Sequence, residues 1–214
     1  MLLRCLTAVL LCLALPCAVL AATEIEISSP GEQSIPLGLT KLLPDEGTRS
    51  AGIADQFDEV LGADLDLSGL FRFVDPQSFL DDADRIGLFS TQVNFPQWRL
   101  LGAEALIKGT YHLNGDKLVV EGRLFDVVNR SLLTGRRYVG QPKDVRRMAH
   151  AFADLVLKAL TGEEGPFSSR IAYISNQTGD KELWLMDVDG PVSYTHLTLP
   201  TTSALCRSRW SPYH

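Results

Sequence analysis

ALIKGTYHLNGDKLVVEGRLFDVVNRSLLTGRRYV, residues 105–139, carries three strand signals in close succession. They are Ala105 to Leu113, Lys117 to Val127 and Ser131 to Val139, each rich in β-branched, aromatic or leucine side chains and bounded by turn residues. Asn114-Gly115 between the first two is a hairpin signal, because both residues tolerate positive φ. Pro142 then opens the clearest helix of the chain, with Val145, Met148, Ala149, Phe152, Leu155, Val156 and Ala159 as its apolar stripe. Arg146, Arg147, His150, Asp154 and Lys158 are expected on the opposite, solvated face, with Asp154 supported by i,i+4 pairing to His150 and Lys158. Gly162 closes that helix.

Upstream, Thr23 to Ile27 alternates strictly and reads as a half-buried strand, with Ile25 and Ile27 facing one way and Glu24 and Glu26 the other. Ser28-Ser29-Pro30-Gly31 breaks it, and a second apolar run follows at Ile35 to Leu39. Pro44 to Gly47 is a turn-rich connection. Ser50 is placed to cap a helix running to about Leu67, with Ile53, Phe57, Val60 and Leu61 on one face. Leu70 to Val74 returns as a strand, Phe79 to Arg85 is short and acidic, Ile86 to Asn94 is irregular, and Pro96 to Leu101 is a short helix. Helices between strands, a hairpin and a closing helix predict an α/β fold: one layered domain over 23–163, a mixed sheet with helices. Gly162 to Pro166 reads as a linker. Beyond it, Arg170 to Ser175 and Glu182 to Val188 are two strands around a Gly-containing loop, half of a four-stranded propeller blade. Residues 164–190 are thus expected to be a linker and a partial first blade.

The two ends differ from the middle. Arg4, the apolar run Leu6 to Leu15 and the small residues before Ala21 and Ala22 predict a signal peptide over 1–22, cut after one of those alanines. The run is shorter than the roughly 20 apolar residues that span a bilayer, so a membrane anchor is the lesser alternative. Pro16 before Cys17 does not fit a lipoprotein cysteine. Residues 191–214 contain no Asp or Glu, and SYTHLTLPTT resembles translated vector sequence, so a non-native tail is expected there. All four cysteines lie in these two end segments. The chain carries 20 Lys and Arg against 26 Asp and Glu; setting aside Arg4, Arg207 and Arg209 leaves 17 bases, and residues 23–190 carry −9. That balance argues against nucleic acid as a partner.

No residues assemble a catalytic signature: there is no Gly-x-Ser-x-Gly, phosphate loop, dinucleotide fingerprint or His-Glu-x-x-His. His112 and His150 are the two histidines of the middle region, and His150 is read as a solvated helix residue. Asp81, Asp82 and Asp84 lack the Gly and distal Glu of a calcium loop and read as a solvated acidic turn. Asp187-x-Asp189-Gly190 reads as a strand-end turn. No metal site and no cofactor are expected. Asn129-Arg130-Ser131 and Asn176-Gln177-Thr178 match a glycosylation pattern that matters only in a eukaryotic source. One segment has promise without catalysis: the alternating strand at the mature N-terminus could add to the sheet edge of a partner. The simpler reading makes it the first strand of its own domain.

Six stretches together carry a resemblance: IEISSPGEQSIPLGL (25–39), LSGLFRFVDP (67–76), FPQWRLLGAEALIKGTY (95–111), LVVEGRLFDVVNRSLLTGRRYVG (118–140), RRMAHAFADLVLKALTGEEGPFSSRIAYIS (146–175) and ELWLMDVDG (182–190). In this order they resemble the TolB family, periplasmic proteins of the Tol–Pal envelope system. Thr40-Lys41-Leu42 departs from the Pro-Phe that the family often has there. The resemblance implies an N-terminal α/β domain followed by a β-propeller, and a periplasmic adaptor with no catalysis. Such an adaptor links TolA to the lipoprotein Pal for outer-membrane integrity and constriction at division, and is associated with colicin uptake. It implies that the extreme mature N-terminus, here Thr23, Glu24, Ile25, Glu26, Ile27, Ser28, Ser29, Pro30, Gly31 and Glu32, binds the TolA C-terminal domain. It implies that Pal binds chiefly the propeller. The alternative is the front end of a propeller-bearing serine hydrolase, whose Ser-His-Asp set would lie beyond Gly190.

Overall fold

Residues 105–140 form an antiparallel meander of three ten-residue strands, β4 (Ala105–Asn114), β5 (Lys117–Asp126) and β6 (Ser131–Gly140). The computed structural model describes residues 34–45, 50–176, 179 and 181–190. The signal segment, the alternating strand Thr23–Ile27 and the tail from 191 lie outside the described residues. Asn114 pairs with Lys117, so the β4–β5 turn is Gly115-Asp116, one residue later than Asn114-Gly115, and Gly115 supplies the positive φ of 58°. The β5–β6 turn is held by Asp126, which accepts the Asn129 N–H at 2.7 Å. A bulge follows: Leu124 pairs with Thr134 and Phe125 with Leu132, leaving Leu133 as the extra residue.

Ahead of the meander come β1 (Ile35–Leu39), the two-residue β2 (Leu43–Pro44), helix α1 (Ala51–Leu67), β3 (Phe71–Phe73) and helix α2 (Phe95–Leu100). β1 lies between β3 and β4, parallel to both, and β2 also pairs with β4 in parallel. The sheet order is β3-β1-β4-β5-β6, a mixed sheet as expected. Pro44, expected in a turn, sits in β2 instead, where the strand pairing places it opposite Tyr111. Helix α3 (Val145–Thr161) follows the meander and ends on Gly162 at φ 83°. The hairpin β7 (Arg170–Ser175) and β8 (Glu182–Asp187) forms a separate two-stranded sheet.

Strand alternation makes the sheet two-sided. One face packs Leu37, Ile107, Val120 and Leu124 under Phe57, Leu61 and Leu65 of α1 and Ala149, Phe152 and Val156 of α3. The other packs Leu106, Phe125 and Val127 under Phe95 and Trp98 of α2, with Val74 and Val93 from the connecting loops. Gly122 permits the first layer: a Cβ there would stand 2.6 Å from the Phe152 ring. The α3 stripe is rotated from the expected one. Ala153 and Leu157 are buried and Ala159 is exposed, because the helix packs on α1 as well as on the sheet.

Two further expectations are corrected. The Ser50 side chain makes no cap bond to α1; its backbone N–H instead donates to the Tyr111 hydroxyl at 2.8 Å. The stretch after α3 is pinned to the core: Phe167 is 2% exposed, and Asp154 accepts the N–H groups of Phe167 at 2.8 Å and Ser168 at 3.0 Å. Asp154 therefore spends its carboxylate on the following chain. Lys158 pairs with Glu164 rather than with Asp154.

Candidate functional site

The sequence-expected site, Thr23 to Glu32, lies outside the described residues, as do the cleavage positions Ala21 and Ala22. What the structure describes is where that segment leads. Two residues on, Ser34 enters β1, and Ile35 donates its N–H to the Leu70 carbonyl at 2.8 Å. The chain that follows the segment is thus fixed at Ile35 to the parallel half of the sheet.

Two polar clusters stand inside the fold. In the first, Asp82 is 4% exposed and is no part of a solvated acidic turn. The Trp98 indole donates to its Oδ2 at 2.7 Å, and the Lys108 ammonium reaches the same oxygen at 2.9 Å. Burial works to raise the Asp82 carboxyl, but Trp98, Lys108 and the Asn94 N–H outweigh it and hold it below the usual carboxylate value. Burial lowers Lys108 in turn, against the pull of Asp82. The pair is sealed beneath the loop that follows β3 and ties that loop to β4, which is a structural task.

The second cluster joins elements far apart in sequence. Asp64 lies on α1, three and four residues after Leu61 and Val60, on the apolar face. His150 lies on α3 and is 5% exposed, not solvated. Its Nδ1 meets Asp64 Oδ2 at 2.7 Å, and its Nε2 points toward Asp189 Oδ1 at 4.0 Å. Arg146, one turn earlier on α3, donates to both oxygens of Asp189, at 2.8 and 2.7 Å. It also stands 3.7 Å from Asp187, whose other oxygen is 3.6 Å from Arg170. The strand-end turn expected at Asp187–Gly190 is present, and its acids are the hairpin's grip on α3.

Asp64, His150 and Asp189 offer ligand atoms within 4.8 Å of one another, the spacing of a small cation site. The arrangement fits ion pairing better. Arg146 already places a cation on Asp189, and a second cation against it would meet like charge at close range. It is an electrostatic clasp between α1, α3 and the β7–β8 hairpin. The signal for Asp64 was in the sequence: an acid at a helical spacing that otherwise holds Val60, Leu61 and Leu65. Asp189 carried no such signal, since its partner lies 43 residues away.

Comparison with known proteins gives a consistent result. The family described as the TolB amino-terminal domain matches residues 23–133. The "Tol-Pal system protein TolB" of Syntrophotalea carbinolica is 59% identical over 181 residues, covering 85% of this chain and 41% of that protein. The protein of the same name from Geobacter sulfurreducens is 32% identical over 165 residues, covering 77% of this chain and 38% of the relative. The chain therefore spans about two fifths of the length of these curated relatives. The crystal structure of TolB from Acinetobacter baumannii superposes on 74% of this chain and 37% of its own, with a TM-score of 0.57 at 22% identity, which is a likeness of fold.

Proposed function

Because the chain belongs to the TolB amino-terminal domain family, we propose that it is a periplasmic adaptor of the Tol–Pal system, linking TolA to Pal and without catalysis of its own. The observation that carries the reading is the family match over 23–133, which includes the whole N-terminal segment. Thr23 to Glu32 is the proposed TolA-binding element. Alternating Ile25 and Ile27 against Glu24 and Glu26 suit addition to the sheet edge of the TolA C-terminal domain, with backbone hydrogen bonds for affinity and alternate side chains for specificity. The anchor at Ile35 supports this, because it fixes to the sheet the chain that follows the segment. Docked on its own protein the segment is hidden; released, it pairs with TolA, a switch between two states that different partners favour. Colicin uptake would exploit the same adaptor. Export by the segment 1–22 would deliver it to the periplasm, and no helix among the described residues is long and apolar enough to cross a membrane.

The test is a calorimetric titration of the TolA C-terminal domain into the chain beginning at Thr23, beside one beginning at Gly31. The shorter chain is expected to lose binding by at least about tenfold, near 1.4 kcal/mol. Equal affinity for the two would sink the assignment. Pal should bind the 214-residue chain weakly, its main surface being expected on propeller blades; tight binding would move that surface to the α/β part.

A further inference from the structure

The clasp between the helix pair and the hairpin has a gap at its centre. His150 Nε2 and Asp64 Oδ1 are buried, and neither has a hydrogen-bond partner among the described residues. Nε2 faces Asp189 Oδ1 across 4.0 Å. With one proton, held on Nδ1 by Asp64, the imidazole turns a lone pair toward the Asp189 carboxylate, acceptor against acceptor. With two protons it turns a charged N–H toward that oxygen, and a movement of about 1 Å completes the bond.

We propose that His150 is a proton-operated catch that fixes the β7–β8 hairpin to the α1–α3 helix pair when doubly protonated and loosens it when neutral. The hairpin needs such a catch. Two strands alone are marginally stable, and Arg146 ties this pair to α3 through Asp187 and Asp189.

The groups around His150 favour the charged form. Asp64 faces it from α1 and Asp189 from the turn after β8. Arg146 stands one turn before it on α3 and Asp154 one turn after; β6 also packs on this helix and carries Arg136 and Tyr138. Burial disfavours the imidazolium and Arg146 repels it, but the hydrogen bond and charge of Asp64 and the charge of Asp189 prevail, and His150 is held above its ordinary value. A histidine raised in the folded state contributes stability that is full below its unfolded value of about 6.5 and fades as pH rises through the folded value. The catch therefore closes on the acid side and opens on the alkaline side. The proton leaves to solvent, and no other group needs to change. This goes beyond the adaptor reading and stands or fails without it.

The 214-residue chain labelled with 5-fluorotryptophan gives the test. Trp184 of β8 reports the hairpin, and Trp98, in the other core, reports the overall fold. Across about pH 6 to 9, the Trp184 fluorine signal should move with the midpoint of the His150 ring titration, and amide protection in β7 and β8, corrected for intrinsic exchange, should fall about tenfold. His150→Gln should hold the hairpin at the loosened level at every pH. Asp189→Asn should abolish the Trp184 response while His150 still titrates, and decides the matter if His150→Gln disturbs Trp98. A Trp184 signal that ignores the titration of His150, or a response that survives Asp189→Asn, would overturn the proposal.

Discussion

Asp58 shows how one side chain sets a pH dependence in a fold without disulfides among its described residues. It sits on α1, and both its oxygens accept the Leu42 N–H, at 3.2 and 3.1 Å. Burial pushes its carboxyl up to about 6, against the lowering effect of that N–H. The folded value lies above the unfolded one, so the charged form carries a folding cost. The cost is absent in strong acid, grows as pH rises through the interval from the ordinary value to about 6, and is constant above it. Asp58→Asn keeps an acceptor for Leu42 and removes the charge. It is expected to stabilise the protein by about 1 kcal/mol near neutral pH, with the gain gone by about pH 3.5. Thermal melts of both proteins at the two pH values would check this; an equal gain at both would refute the burial argument. The polar residues of the interior illustrate the limit of local reading. Asp82 and His150 stand among other charges in the sequence and look solvated. Only the return of Lys108, Trp98 and Asp64 through long-range packing buries them.

At the scale of elements, periodicity predicted the strands and helices well because their patterns are long. Ten-residue strands and seventeen-residue helices repeat their apolar spacing several times. The short pieces were misplaced where the partner is distant, as with Pro44 in a two-residue strand, or where a turn slips by one residue, as at Gly115-Asp116. The α3 stripe rotated because a helix against two surfaces buries a wider arc than a one-sided pattern suggests. Glycines test this packing. Gly122 lies under Phe152, and Gly122→Ala should cost about 1–3 kcal/mol, since the ring must move off the sheet. Gly62, inside α1, has room for a methyl group, with Leu39 Cδ2 at 3.8 Å from the added Cβ, so Gly62→Ala should stabilise by about 1 kcal/mol. Denaturant titration of the two variants should move the midpoint in opposite directions. A loss in both would mean that α1 tolerates no change at the sheet contact.

For the molecule as a whole, the question is where the α/β unit ends. Reading Gly162 as a helix stop and the next residues as a linker puts the boundary at about residue 163. The packing puts it later, because Phe167 belongs to the same buried cluster as Phe57, Phe152 and Val156. Asp154 holds the backbone there by accepting two N–H groups. A chain stopped at Glu163 loses the Phe167 ring and leaves the half-buried Asp154 carboxylate without those donors. By the cost of deleting a buried phenylalanine, it should be less stable by about 3 kcal/mol than one stopped at Ser169. A chain stopped at Ser169 keeps both features and gives up only the hairpin, whose grip is the clasp of Arg146 and His150 with Asp189. It should unfold in one transition close to that of the full chain. Parallel calorimetric melts of the chains ending at 163, 169 and 214 would separate these cases. If the chain ending at Ser169 melted like the one ending at Glu163, Phe167 would not be closing the core. If it melted far below the full chain, the hairpin would contribute to the α/β unit more than a catch of ion pairs can supply.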